Sequence, residues 1–322
     1  MQSLGFRPFR FGVINERFGS PREWTERARR AEALGYATFL IRDHLVADYF
    51  GDQFAPLPAL MAAALATTTL RVGTLVLDND FRHPALLAKE AATLDFLSGG
   101  RLELGLGAGW LKREYDAAGI PYDPAGVRID RLEESIAVLQ GSFADGPFTF
   151  TGRHYQVDGL DSFPKPAQRP GPPLLIGAGR RRMLTLAGRE ADIVGFLSVA
   201  VGSGVVADDP AERLPAAVAE KIDWAREGAG DRWSEIELSM MVPTPIATDD
   251  RRAATDALIR ERGWTGIAPE QVWEMPSVLI GSTDQIVEDL LRRREEFGFS
   301  YYVVADDAME AFAPIVAELA GS

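Results

Sequence analysis

The chain has 322 residues, 46% of them apolar, enough for a sizeable core in one large domain or two ordinary ones. It contains no cysteine, which excludes disulfides, thiolate catalysis, iron–sulfur ligation and cysteine zinc sites. The excess of 47 acidic over 34 basic residues argues against nucleic-acid binding, and no apolar run is long enough to span a membrane. The N-terminal MQSLGFRPFRFGV has neither a long apolar segment nor a small-residue cleavage site, so a cytoplasmic location is expected.

RFGVIN (10–15) reads as a strand, and Ser20-Pro21 as an N-cap with proline at the first helical position. The helix that follows runs to Leu34 and closes at Gly35. TFLIRD (38–43) is the second strand, PALMAAALATT (58–68) the second helix, LRVGTLVL (70–77) the third strand and PALLAKEAATLDFL (84–97) the third helix. RLELGL (101–106) is the fourth strand, and helical sequence follows to about Leu139. FTFTGRHYQVDG (148–159) predicts a hairpin turning at Thr151-Gly152, and the proline-rich 163–173 a loop. The alternation then resumes with PLLIG (173–177), a helix over 180–190, DIVGF (192–196), a Gly/Ser/Val loop (197–207) and a helix over about 210–227. IELSMMVP (236–243) is another strand, 249–281 is irregular or partly helical, 282–297 is a helix, YYVVA (301–305) the last strand, and 307–320 a closing helix. Eight such strands alternating with helices call for parallel pairing through crossovers. The expected fold is a TIM (β/α)8 barrel, a single domain over 1–322 with insertions after strands 4, 6 and 7; an open doubly wound sheet is the competing architecture.

Two glycine-rich turns stand out. RLELGLGAGW (101–110) has glycines at 105, 107 and 109, which is not the G-x-G-x-x-G of a dinucleotide fingerprint, and about twenty residues on lies the helix IDRLEESIAVL, not a strand end. No stretch fits a P-loop. At the C-terminal end of a parallel strand such glycines let a flat ligand approach the backbone, unless they serve only a tight turn. LLIGAGRRR (174–182) runs from a strand through Gly-Ala-Gly into a helix opening with three arginines. A helix N-terminus favours phosphate, and three arginines there repel one another unless an anion is near; an ordinary turn with a solvated basic helix end is the plainer reading.

Of the three histidines, His154 falls in the hairpin and His83 precedes Pro84 as a turn residue. His44 follows Asp43 at the end of the second strand, where a barrel builds its active site; a packed loop histidine is the other reading. No two histidines share a helical face at i, i+4 and HExxH is absent, so no metal site is expected. There is no G-x-S-x-G, and no spacing selects a catalytic carboxylate pair.

IRDHL (41–45), GTLVLDNDFRHPALLAKEAATLD (73–95), SGGRLELGLGAGWLKREY (98–115), GVRIDRLEE (126–134) and PLLIGAGRRRML (173–184), in that order and spacing, resemble the bacterial luciferase-like monooxygenase superfamily over nearly the whole chain. The resemblance implies a TIM barrel with insertions, commonly a homodimer, that binds FMN or the deazaflavin coenzyme F-420. GAGWLKREY and LDNDFRHP look closest to the F-420 branch. The implied activity is hydride transfer between F-420 and a small organic substrate. The alternatives are an FMN-dependent monooxygenase using oxygen and a reductase partner, and a non-catalytic cofactor-binding protein. Neither a nucleic-acid nor a membrane partner is expected.

The same resemblance distributes roles over the sequence. Asp43 and His44 would flank the deazaflavin ring, with His44 the proton donor or acceptor, and Asp78 would lie at the ring's polar edge. Leu75–Val76 would be a non-prolyl cis bond in a bulge backing the ring. Ala108 and Gly109 would lie against the cofactor with Arg113 nearby, and Gly177, Ala178, Gly179, Arg180, Arg182 and Met183 would surround its phosphate. The sugar-phosphate dehydrogenases of this superfamily carry glutamate where Trp110 stands, and a substrate-holding lysine beyond the sixth strand, where this chain reads FLSVAVGSG (196–204). Trp110, Phe196 and Leu197 therefore suggest an apolar or aromatic substrate surface.

Overall fold

The computed structural model describes residues 6–17, 19–47, 51–198, 200–202 and 205–322; Val199, Ser203 and Gly204 of the FLSVAVGSG segment lie outside them. Eight principal strands follow the expected alternation: β1 (Arg10–Asn15), β2 (Thr38–Ile41), β3 (Arg71–Thr74), β4 (Leu102–Gly107), β5 (Leu174–Ala178), β6 (Ile193–Phe196), β7 (Glu237–Met241) and β8 (Phe299–Ala305). The helices are α1 (Pro21–Ala33), α2 (Pro56–Ala66), α3 (Pro84–Leu97), α4 (Lys112–Ala118), α5 (Ala125–Phe143), α6 (Arg181–Glu190), α7 (Pro215–Ala229), α8 (Arg251–Arg262), α9 (Pro269–Trp273), α10 (Thr283–Phe297) and α11 (Met309–Leu319). Strand order in the sheet is β3-β2-β1-β8-β7-β6-β5-β4, with β3 also paired to β4, the ring order of a (β/α)8 barrel. The strands are buried nearly throughout, as parallel strands covered on both faces must be. No helix among the described residues is long and apolar enough to cross a membrane, and no metal-ligating cluster occurs among them.

The chain divides into two compact units. One comprises residues 15–30 and 38–176. In it β2 pairs in parallel with β3 (Thr38↔Arg71 to Ile41↔Thr74), β3 with β4 (Val72↔Leu102) and β4 with β5 (Leu104↔Leu174). The third strand is not continuous as the sequence suggests. It stops at Thr74, the Leu75–Val76 bond is cis, and pairing to β4 resumes at Leu77↔Leu106 and Asp78↔Gly107. Thr74 Oγ1 fills the interruption, donating to the Gly105 carbonyl and accepting from the Gly105 N–H, both at 2.8 Å. At the opposite strand ends Arg71 donates to the buried Glu103 (2.8 Å) and to Gln168 (2.9 Å), which in turn donates to Asp95 (2.7 Å).

The helical sequence after β4 is two helices. α4 closes at Gly119, whose φ of +69° suits a left-handed cap, and Pro121 and Pro124 separate it from α5. The hairpin beyond α5 pairs Phe148–Thr151 with Gln156–Leu160, but its turn spans 152–155, longer than predicted. Glu134 of α5 causes this by accepting the N–H groups of Arg153, His154 and Tyr155 at 2.8–3.0 Å.

The other unit comprises residues 1–14, 31–37 and 177–322. β8 pairs with β1 (Arg10↔Tyr301) and with β7, which also pairs with β6. The Arg10 guanidinium lies 3.7 Å from the Tyr301 ring centroid and pairs with Glu237 at 2.6 Å. Gly35, at φ +83°, closes α1 as expected. The loop predicted over 197–207 contains an antiparallel pair, Ala200–Gly202 with Val205–Ala207, in a valine-rich stretch that favours extended backbone. The insertion after β7 carries α8, α9, a short parallel pair (Ile246–Ala247 with Ile280–Gly281) and its own apolar cluster of Trp264, Val272, Met275 and Ile280.

Candidate active site

Within the unit holding residues 38–176, the ends of β2, β3 and β4 bring Asp43, His44, Asp78 and the Ala108–Trp110 turn together. Asp43 is buried and fully engaged. Its carboxylate accepts from both Arg82 terminal nitrogens and from the Asp78 N–H (3.1 Å), so it ties the end of β2 to the resumed third strand. His44 Nδ1 lies 3.0 Å from Glu114 Oε1, which also accepts the Leu45 N–H at 3.1 Å. The edge of Trp110 meets the His44 ring at a centroid distance of 6.1 Å.

A second carboxylate group sits behind the β4 turn. The Tyr115 hydroxyl is 2.8 Å from both Asp78 oxygens and 3.2 Å from Asp80, while Arg131 pairs with Asp80 at 2.9 Å. Burial pushes the Asp78 carboxyl up to about 7; the nearby charges of Asp80 and Asp43 push the same way, against hydrogen bonds from the Asp80 N–H and Tyr115. A carboxyl raised in the fold above its usual value near 4 contributes stability that is complete below about pH 4 and lost as pH rises through 7. Asp78→Asn, which keeps an acceptor for Tyr115, is therefore expected to flatten the fall in unfolding free energy between pH 4 and pH 7. Urea denaturation across that range, with both proteins falling in parallel, would contradict this.

The glycines of the β4 turn do not all serve a ligand. A Cβ on Gly105 would lie 1.9 Å from the Thr74 carbonyl oxygen, and one on Gly107 2.7 Å from Val76 Cγ2. These two make room for the interruption of the neighbouring strand, which corrects the expectation that they open the backbone to a flat ligand. Gly109 has φ +71°, and its Cβ would fall 1.9 Å from the Tyr115 hydroxyl and 2.5 Å from Asp78. Arg128 donates to the carbonyls of Ala108 (3.0 Å) and Gly109 (3.2 Å) and stacks on Tyr122, whose hydroxyl donates to the Trp110 carbonyl (2.9 Å). Ala108, Gly109, Trp110, Leu75 and Val76 all keep part of their surface exposed, and Arg113 is exposed with a bond to the Ala47 carbonyl at 3.3 Å.

In the other unit, Gly177, Ala178 and Gly179 lead from β5 to α6, and Leu197 N donates to the Ala178 carbonyl at 2.8 Å. Arg180 is the N-cap of α6, and its side chain makes no capping bond. Two of the three arginines, which the sequence leaves without a counter-charge, have one within the protein. Arg180 pairs with Glu212 at 3.0 Å and Arg181 with Glu227 at 3.1 Å, so the protein supplies negative charge of its own. Glu212 also pairs with the buried Lys221 at 2.9 Å, and a hydrogen bond from Lys221, together with the Lys221 and Arg180 charges, holds its carboxyl below the usual range. Arg182 is exposed and Met183 partly so. Phe196 is buried edge-on against Phe299 and belongs to the core, while Leu197 is partly exposed.

Glu114, Tyr115 and Arg128 were not singled out from the sequence. No local pattern marks them: Glu114 stands 70 residues from His44 and Tyr115 37 from Asp78.

Residues 1–301 match the family described as Luciferase-like monooxygenase. An F420-dependent glucose-6-phosphate dehydrogenase of Nakamurella multipartita is 32% identical over 271 residues, covering 82% of this chain and 75% of that protein. An FMNH(2)-dependent dimethylsulfone monooxygenase of Pseudomonas putida is 34% identical over 166 residues, 51% of this chain and 46% of its own. A solved F420-dependent secondary alcohol dehydrogenase, in complex with an F420-acetone adduct, aligns with a TM-score of 0.75 at 19% identity, covering 97% of this chain and 99% of that one. That likeness shows a shared TIM-barrel fold.

Proposed function

Because the chain belongs to the luciferase-like monooxygenase family, we propose that it is a coenzyme F-420-dependent oxidoreductase acting on an apolar or aromatic organic substrate. The observation that carries the reading is His44. It stands at the end of β2, with Nδ1 beside Glu114 and Trp110 against its ring, next to a partly exposed strand-end surface that includes no second histidine among the described residues. The name of the Nakamurella relative supports the cofactor class.

The residues fit such a cofactor. The Arg180 side chain does not cap α6, and a helix start after Gly177-Ala178-Gly179 suits a phosphate, with Arg180, Arg182 and Met183 around it. Leu75 and Val76 would back the ring, Ala108 and Gly109 would approach it, Asp43 and Asp78 would lie at its edge, and Arg113 would stand nearby. When bound, the deazaflavin supplies the hydride chemistry. His44 holds or delivers the accompanying proton. Trp110, partly exposed beside His44, would present the apolar surface to the substrate; Phe196, given the same role from the sequence, is a core residue instead.

Arg180→Ala with Arg182→Ala is expected to weaken F-420 binding at least tenfold, since a charge-assisted contact is worth roughly 1.5–3 kcal/mol. The loss should be larger at low salt, and smaller for FMN, which lacks the anionic polyglutamate tail that F-420 carries. Calorimetric titration of both ligands at two salt concentrations checks this; unchanged F-420 affinity places the anion site elsewhere.

The Pseudomonas relative favours a second reading, an FMN-dependent monooxygenase. Anaerobic turnover separates the two, because only hydride transfer to or from F-420 proceeds without oxygen.

The reading includes a cytoplasmic homodimer with each chain a single domain. Helices α2 and α3 expose Leu65, Leu86, Phe96 and Leu97, apolar surface of the kind that partners cover. Phe96→Glu with Leu97→Glu is expected to convert a dimer to a monomer in sedimentation; a wild-type monomer would refute the assembly.

A further inference from the structure

We propose that Glu114 is a positioning residue that selects the tautomer of His44, fixing the proton on Nδ1 and making Nε2 the nitrogen that exchanges a proton with substrate. The proposal rests on the reading of His44 as the proton-handling group. Glu114 is 1% exposed, and the same oxygen, Oε1, meets two groups: the Leu45 N–H at 3.1 Å and His44 Nδ1 at 3.0 Å. An ionised carboxylate can only accept, so the imidazole nitrogen facing it must carry a hydrogen. The bond made by one ring nitrogen then sets the state of the other.

The local structure presents Glu114 to His44 as an acceptor. Glu114 lies in the first turn of α4, and because its Oε1 already accepts the Leu45 N–H, that oxygen faces Nδ1 as an acceptor. Its orientation is also locked. The adjacent Tyr115 is held by Asp78 and Asp80 at 2.8–3.2 Å, and the preceding Trp110 carbonyl is held by Tyr122, so α4 cannot turn to present Glu114 elsewhere. The carboxylate thus reaches His44 from a segment anchored at both ends.

The test uses 15N-histidine-labelled, cofactor-free protein and two-bond nitrogen–proton correlation spectra at a pH where the imidazoles are neutral. Only three histidines are present, and His44→Ala assigns the relevant signals. The expected result is His44 in the Nδ1–H form in the wild type, retained in Glu114→Gln, which keeps an acceptor oxygen, and inverted to a predominantly Nε2–H form in Glu114→Ala. A wild-type His44 in the Nε2–H form, or an unchanged tautomer in Glu114→Ala with native circular dichroism, overturns the proposal. If Glu114→Ala does not fold, the wild-type and Glu114→Gln spectra decide it, since a protonated Glu114 donating to Nδ1 would give the Nε2–H form in the wild type. The measurement needs neither cofactor nor substrate. A protein with the expected tautomers that binds neither F-420 nor FMN refutes the functional reading and leaves this one standing.

Discussion

His44→Ala is expected to bind F-420 as the wild type does and to lose turnover by about 10²–10⁴-fold, the usual contribution of a positioned acid–base group. His44 Nδ1 lies beside Glu114 and the ring contacts the Trp110 edge, while the 108–109 turn assigned to the cofactor is held by Arg128. Removing the imidazole should therefore leave binding intact. The check is paired: calorimetric affinity for F-420, then single-turnover oxidation of the reduced cofactor. Normal turnover would reduce His44 to a packing residue. Equal loss of affinity and rate would make it a binding group.

Gly109→Ala is expected to destabilise the protein by about 2–5 kcal/mol. About 1–2 kcal/mol comes from a left-handed backbone and about 1–3 from overpacking. At φ +71° its Cβ would collide with the Tyr115 hydroxyl and Asp78, which hold one another and cannot separate without giving up a buried hydrogen bond. Gly119→Ala separates the two contributions, because Gly119 has φ +69° with nothing within 4 Å of the added carbon. Chemical denaturation should show Gly119→Ala costing only the conformational share. Equal effects at both positions would mean that the Tyr115–Asp78 contact does not constrain the turn.

The βα alternation was legible because each signal is local: Ser20-Pro21 opening α1, Gly35 closing it, apolar runs forming buried strands. His44 at the end of β2 was legible for the same reason. The rest depends on partners distant in sequence. Gly105 and Gly107 looked like a ligand-facing turn, yet they answer to Thr74 and Val76 on the neighbouring strand. The arginines at α6 looked unbalanced because Glu212 and Glu227 lie 32 and 46 residues from their partners. Glu114, Tyr115 and Arg128 are ordinary helix residues until folding brings them against His44, Asp78 and the 108–110 carbonyls. The longer hairpin turn likewise depends on Glu134 of α5, which no two-residue turn signature can show.

F-420 is the cofactor on which the proposed activity depends. Calorimetric titration of the purified protein with F-420 and with FMN under identical buffer tests it most directly. Saturable F-420 binding at least tenfold tighter than FMN is expected; tighter binding of FMN, or heat from neither ligand, would contradict the assignment.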